Sequence, residues 1–456
     1  MLRVPGTGAA IISGDSIVWR GQFGYADLAT HRPMTDHTAF PVASLTKTMA
    51  ATVVMQLVQE GRVNVDVADT ALRGPYPVTI ANLLSHTSEG APGEEYLYSG
   101  ARYNQLGRVV EQASSTPLAV ALRARVFDPA GMSHTTAGSR DAAGQMRMDI
   151  AAPYASVAED SSGTKPGSPH FPDVAAANGV VSTAEDLARY AIALLRGDLV
   201  SGALRDRMWT PARSTRGVTF PYGLGWFVQD YAGERIVWHY GQESSYGSLL
   251  LLVPSRRLGV IVLANSNAIS DAARLLDGNV ARSLVAQAFL RDVARLQVPE
   301  GDAEIAAALA ELYAGHKARA DSLARAAHTR LAEASDLAGF YLLFRLADSA
   351  LDAEAREVEE RLLADHPGLP PVLYFAALFE ERAGTMARAA ELLERIAATP
   401  APPRHWSVVL GLSELAKLYE PTNPSRARVV YQRIVDINYN FGGAVDRAKE
   451  RLAKLR

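Results

Sequence analysis

Cysteine is absent from the 456 residues, which removes disulfide scaffolds, thiol nucleophiles and cysteine-ligated zinc or iron–sulfur centres from consideration. Long apolar runs are missing too. The longest, Ser248 to Ala264, is cut by Pro254-Ser255-Arg256-Arg257 and falls short of the roughly 20 apolar residues of a membrane-spanning helix. Charge of one sign is not in excess, because 46 Lys and Arg oppose 49 Asp and Glu for a net charge of −3. No basic field therefore exists to hold a nucleic acid. The histidines are scattered with no H-E-x-x-H spacing, so no metal hydrolase is indicated and no cofactor is called for. A G-x-S-x-G elbow is lacking as well; the nearest segment, His86-Thr87-Ser88-Glu89-Gly90, misses the first glycine, which argues against an α/β-hydrolase.

What is present is an ordinary globular balance of 48% apolar and 21% charged residues, at a length that suits two to three domains. Up to about residue 295 the texture is α/β or α+β. Gly8 to Ile12 and Ile17 to Arg20 flank Ser13-Gly14-Asp15, and Ser248 to Val253 and Val260 to Asn265 flank a proline-containing turn. Both pairs read as antiparallel hairpins, and we expect them in one sheet. An amphipathic helix is expected over Ser44 to Glu60, ended by Gly61. Others are expected over Tyr103 to Ala113, Pro117 to Val126, and Ala184 to Leu195 after the capping candidates Ser182-Thr183. The Ser-, Gly- and Pro-rich stretch Asp160 to Pro172 reads as a loop.

From about Gly301 onward Ala, Leu, Glu and Arg recur at the helical period, with Asp365-His366-Pro367 and Thr399-Pro400 as helix ends. The small residues and turn glycine of Ala377, Gly384, Ala389 and Leu393 resemble a tetratricopeptide repeat, and Ala416, Tyr419, Ala427 and Tyr431 are a looser echo. A repeat array and an unrelated helical bundle both fit. The expected division is residues 1–295 and a helical domain over 301–456, the latter a candidate surface for a protein partner.

Ser44-Leu45-Thr46-Lys47 places a hydroxyl and an amine three residues apart at the start of an apolar helix, on one face of it. A serine becomes a nucleophile when a base takes its proton, and a lysine with a lowered pKa can be that base. An N-cap serine followed by a solvated lysine is the plainer reading, and Ser162-Gly163-Thr164-Lys165 repeats the spacing in the expected loop. The context separates the two copies. Tyr98-Ser99-Gly100 and His239-Tyr240-Gly241 follow Ser44 in order, supported by Leu83 to Ser88, Asn178 to Leu187, and Tyr222-Gly223-Leu224-Gly225-Trp226. In this order S-x-x-K, Y-S-x and H-x-G resemble the motifs of the serine β-lactamase and penicillin-binding-protein superfamily, in the branch with class C β-lactamases, D-aminopeptidases and esterases.

That resemblance implies an antiparallel sheet flanked by helices, with a helical insertion from about Val65 to Pro172 and the site between two lobes. It implies acyl transfer through Ser44, with Lys47 and Tyr98 sharing the proton transfers and Tyr98 acidified by the nearby lysine charge. Backbone N–H groups of Ser44 and Gln242 would form the oxyanion hole, and Gly241 would let substrate approach the strand. Ser99 is a substrate-binding candidate. His239 stands where many relatives carry lysine and would offer a donor and a partial positive charge; His86 reads as structural. Gly100 departs from the usual asparagine, whose amide helps hold the substrate and the lysine, so an ester becomes as credible as a peptide or amide and weak β-lactam hydrolysis stays open. The alternative is an inactive ligand-binding module with an interacting helical tail. Relatives also lead us to expect periplasmic or extracellular location, although Met1 to Ala10 lacks the apolar core of a signal peptide.

Overall fold

The computed structural model describes residues 4–69, 72, 77–89, 91–138, 148–156, 164–167, 173–269, 278–280, 283–297, 304, 307–308, 311, 316–326, 352–399, 405–439 and 443–455. The chain divides into two units, Met1–Ala327 and His328–Arg456.

In the first unit the strands are β1 (Gly6–Ser13), β2 (Ser16–Asp27), β3 (Arg32–Pro33) and β4 (Phe40–Pro41). After helices α1 (Thr46–Gln59), α2 (Ile80–Leu84), α3 (Gly100–Tyr103), α4 (Gln105–Ser114) and α5 (Leu118–Leu122) come β5 (Thr136–Ala137), β6 (Tyr154–Ser156), β7 (Thr164–Pro166) and β8 (Val180–Ser182). Helices α6 (Ala184–Arg196) and α7 (Gly202–Met208) lead to β9 (Phe227–Tyr231), β10 (Glu234–Glu243), β11 (Tyr246–Val253), β12 (Leu258–Ala264) and helix α8 (Leu284–Ala288). The main sheet has the order β3-β2-β1-β12-β11-β10-β9 and every pairing is antiparallel.

Both expected hairpins lie in this sheet, joined by β1 against β12 with Ile11 opposite Val260. Gly14 takes a positive φ of 60° in the first turn, a conformation glycine adopts without a Cβ clash. Residues Leu249 to Val253 are buried on both faces, because one face packs on α1 and α6 and the other on α8 with Phe289 and Leu290. A strand covered twice has no reason to alternate.

Helix α1 corrects the amphipathic expectation. It is buried on all sides from Thr46 to Met55, since the sheet residues Ile12, Val237 and Leu250 and the helical residues Leu106, Val110 and Leu122 belong to one core around it. Two of its threonines bond one turn back along the chain, Thr48 Oγ1 donating to Leu45 O at 2.8 Å and Thr52 Oγ1 to Thr48 O at 2.9 Å. The helix expected over Tyr103 to Ala113 starts earlier and breaks at Asn104. Helix α6 begins where expected, with Thr183 Oγ1 accepting from Asp186 N–H. Within Asp160 to Pro172, residues 164–166 pair with β6 as a strand, while 160–163 and 168–172, including Ser162 and Gly163, lie outside the described residues.

A short helix α9 (Lys317–Ala326) closes the first unit. The second is helical: α10 (Asp352–Asp365), α11 (Pro370–Arg382), α12 (Met386–Ala398), α13 (Trp406–Tyr419), α14 (Pro424–Ile437) and α15 (Ala444–Lys454). Ala377, Ala389 and Leu393 are fully buried between α11 and α12, with Gly384 at φ 80° in the turn. Ala416, Ala427 and Tyr431 are buried likewise in the next hairpin. Helices α10 and α12 stop at Asp365 and Ala398, just before the expected breakers. No helix among the described residues is long and apolar enough to cross a membrane.

Candidate active site

Ser44 lies in a short 3-10 turn, Ala43–Leu45, that feeds α1. Its side chain makes no helix cap, so the plain N-cap reading fails. Ala43 holds φ at 49°, a left-handed conformation that costs an alanine of order 1–3 kcal/mol and persists only where the surroundings enforce it. The surroundings here are β10: at Gly241 an added Cβ would press on Val42 O and on the Ser248 hydroxyl. Gly241 therefore admits the chain's own Ala43–Leu45 turn against β10. Ser248 Oγ completes the anchor by donating to Val42 O at 2.9 Å.

From Thr38 to Met55 Ser44 is the single half-buried residue in a buried stretch. Beneath it Lys47 is 1% exposed, with Nζ 2.8 Å from Ser44 Oγ and 3.2 Å from Ala177 O. The rings of Tyr98 and Tyr103 wall the amine at 4.8 and 5.6 Å. Burial pushes the Lys47 pKa down to about 7, against a smaller upward pull from the Glu243 carboxylate. Desolvation disfavours the ammonium, so a neutral amine is accessible near neutral pH.

Tyr98 lies beside Ser44, whose hydroxyl draws the phenol's pKa back slightly, but burial drives it well above the usual tyrosine value. The expected phenolate is thus corrected: the lysine charge that was to stabilise it is itself suppressed by the same dry environment. His86 packs on the Tyr98 ring at 4.2 Å and its Nδ1 accepts from Ser99 N–H at 3.1 Å, the structural part read for it. Ser99 is 2% exposed, and its hydroxyl accepts from Arg102 N–H at 3.3 Å. It caps α3.

His239 is fully buried, with its ring 6.1 Å from that of Tyr98. Nδ1 donates to Tyr240 O at 2.6 Å, and Nε2 is 2.7 Å from the Tyr222 hydroxyl. A ring whose N–H is spent on a carbonyl accepts from Tyr222 with its other nitrogen. Burial, aided by the Lys47 charge, lowers its pKa well below the usual histidine value. The expected donor and partial positive charge are both corrected: His239 is a neutral strut. Gln242, one residue past Gly241, pairs with Gly247 across β10 and β11.

Three participants escaped the sequence reading. Tyr222 was seen only inside its motif, and Glu243 carried no signal beyond its place after Gln242. Ala177 acts through a backbone carbonyl, which no side-chain pattern reports; it supplies the acceptor for Lys47 that Gly100 lacks.

The beta-lactamase family model matches residues 1–284. The chain belongs to the beta-lactamase family. Among curated relatives, this family member is 28% identical over 306 residues to penicillin-binding protein 4* of Bacillus subtilis, covering 57% of this chain and 68% of that one. It spans about three fifths of the length of others it matches. Among solved structures it is similar to the octameric penicillin-binding protein homologue from Pyrococcus abyssi, with TM-score 0.54, 23% identity, and coverage of 64% and 74% of the two chains. It is also similar to the D-amino acid amidase from Ochrobactrum anthropi, with TM-score 0.51, 22% identity, and coverage of 58% and 87%. These two likenesses establish the fold.

Proposed function

We propose that this beta-lactamase-family chain is an acyl-transfer hydrolase in which Ser44 is the nucleophile and neutral Lys47 the base. The observation that carries the reading is the 2.8 Å contact between a half-buried hydroxyl and a buried amine whose pKa lies at about 7. Ser44 Oγ bonds to the substrate carbonyl carbon as its proton passes to Lys47 Nζ. The oxyanion is held by the N–H groups of Ser44 and Gln242. As the intermediate collapses, the carbonyl carbon's bond to the leaving group breaks, and the leaving group takes a proton from Lys47 through the neutral Tyr98 hydroxyl. Water then attacks the acyl-Ser44 ester by the reverse proton path, and free acid leaves.

The substrate class is an amide, peptide or ester with its carbonyl exposed to Ser44. The printed names of the similar proteins, a penicillin-binding protein and a D-amino acid amidase, support D-amino-acid amides and penicillins as first probes. The inactive-module alternative rested on Gly100, and the Ala177 acceptor weakens it. Intact-mass measurement after incubation with a fluorophosphonate, a penicillin and a chromogenic short-chain ester tests the proposal. A single adduct on Ser44, absent from Ser44→Ala, is expected; a folded protein that takes up none of the three and turns over no ester would sink it.

A further inference from the structure

The acceptor that Lys47 uses is itself held by a side chain outside the recognised motifs. Residues Ala175 to Asn178 form a tight turn, with Ala175 N–H donating to Asn178 O at 2.9 Å and Asn178 N–H to Ala175 O at 3.3 Å. The Ala177 carbonyl points from this turn to Lys47 Nζ at 3.2 Å. The Ala177 N–H leaves the turn on the other side, where Asn104 Oδ1 accepts it at 2.9 Å. Beyond the turn, Val180 N–H donates to Thr46 Oγ1 at 3.2 Å. One end of the segment is therefore pinned to α1 and the other to Asn104.

Asn104 sits at the break between α3 and α4, one turn after Gly100, whose carbonyl accepts from its N–H at 3.0 Å. A Cβ on Gly100 would stand 3.7 Å from the Ala177 Cβ, an ordinary contact. Residues 100 and 104 thus address the same turn. A neutral amine has two N–H bonds and one lone pair; when one N–H is committed to Ala177 O, the lone pair can face the Ser44 hydroxyl. If the turn swings away, the amine is free to rotate and water gains access to it.

We propose that Asn104 is a positioning residue for Lys47, replacing through the Ala177 backbone the amide that the second motif lost at Gly100. This rests on the acyl-serine reading above. Three properties distinguish it from a role in folding alone: the effect falls on acylation and not on binding, it moves the pH dependence of acylation, and an amide restored at residue 100 repairs it.

The test is the rate of Ser44 acetylation by p-nitrophenyl acetate as a function of pH, with the adduct located by mass and folding checked by thermal melting. For Asn104→Ala the maximal acylation rate at pH 7 should fall ~10- to 100-fold, the scale of a misplaced catalytic group, with little change in half-saturation. The midpoint of the profile should rise toward the ordinary lysine range, because burial is the main cause of its depression. Asn104→Asp, which keeps an acceptor for Ala177 N–H, should retain more of the rate. Asn104→Ala combined with Gly100→Asn should regain most of it. A folded Asn104→Ala protein with wild-type rate and midpoint would overturn the inference, as would a double variant no faster than the single one. If the wild-type protein itself forms no Ser44 adduct, the acyl-serine reading fails first and takes this one with it.

Discussion

Lys47 in the first unit and Glu359 in the second are both buried ionisable side chains with strongly displaced titration, and they make an instructive pair. Lys47 in the first unit is 1% exposed and pushed down to about 7. Glu359 in the second is 2% exposed and pushed up to about 8. Desolvation is the leading cause in both, and in both it favours the neutral form. Their neighbours differ. Lys47 touches a hydroxyl that opens outward, whereas Glu359 shares its space with the Glu380 carboxyl, and Arg356 forks onto Glu380 at 2.9 and 3.4 Å. A displaced pKa marks a reactive site only where a reacting group lies within reach. In the helical unit the same physics yields a pH-sensitive packing element.

The contrast can be broken or sharpened by experiment. Lys47→Met should reduce Ser44 acylation ~10³-fold or more, yet it should melt at a higher temperature than wild type. The sign follows from linkage: a lysine that is neutral when folded but charged when unfolded costs stability fully below pH 7 and progressively less toward its ordinary value of 10.5. The gain in melting temperature should therefore be largest in acid. A variant that loses activity and also melts lower would mean the amine is structurally required. Tyr98→Phe should slow acylation and hydrolysis ~10²- to 10⁴-fold as a lost proton relay, and ultraviolet titration of wild type minus variant should show no tyrosinate appearing below pH 10.

Glu359→Gln should leave acylation unchanged and stabilise the helical unit at pH 8 and above by about 1–4 kcal/mol. A carboxyl protonated in the fold up to about pH 8 but only to 4.5 when exposed makes wild-type stability fall as pH rises through that window. Denaturant unfolding at pH 5 and pH 8 measures the difference, and an unaltered slope in the variant would break the parallel with Lys47. The smallest effect is expected for Glu243→Gln, which removes the charge that raises the Lys47 pKa. The acid side of the acylation profile should move to lower pH, a gain of a few-fold in rate at pH 6.

Much of the fold was legible because its signals are local. Ser13-Gly14-Asp15 fixes a hairpin by itself, Thr183 marks the start of α6, and Ser44 with Lys47 share a helix face by spacing alone. The helical unit was readable for the same reason, its buried alanines and turn glycine all lying within single hairpins. The misreadings share the opposite cause. His239 is neutral because Tyr222 and the Tyr240 carbonyl occupy its nitrogens, and Tyr98 is kept protonated by a dry shell drawn from several elements. Gly241 is required by Val42, about 200 residues away in the chain. Helix α1 looked amphipathic because its threonines look polar, whereas Thr48 and Thr52 donate to carbonyls one turn back and Thr46 accepts from the Val180 N–H. Ala177 had no readable signature at all, since its contribution is a carbonyl.

The pairing of β1 with β12 sets a timetable for biosynthesis. Ser13 lies opposite Leu258, so the first strand cannot enter its place between neighbours until nearly 250 further residues exist. At cellular elongation rates that is on the order of 10–50 s. For about half of it Ser44, Lys47 and Tyr98 have been made, but β10 (Glu234–Glu243), which presses the Ala43–Leu45 turn into shape through Gly241, has not. Ser44, the proposed nucleophile, is synthesised early and assembled late, and a nascent chain released before β12 would carry every motif up to His239 with the edge of β1 left open.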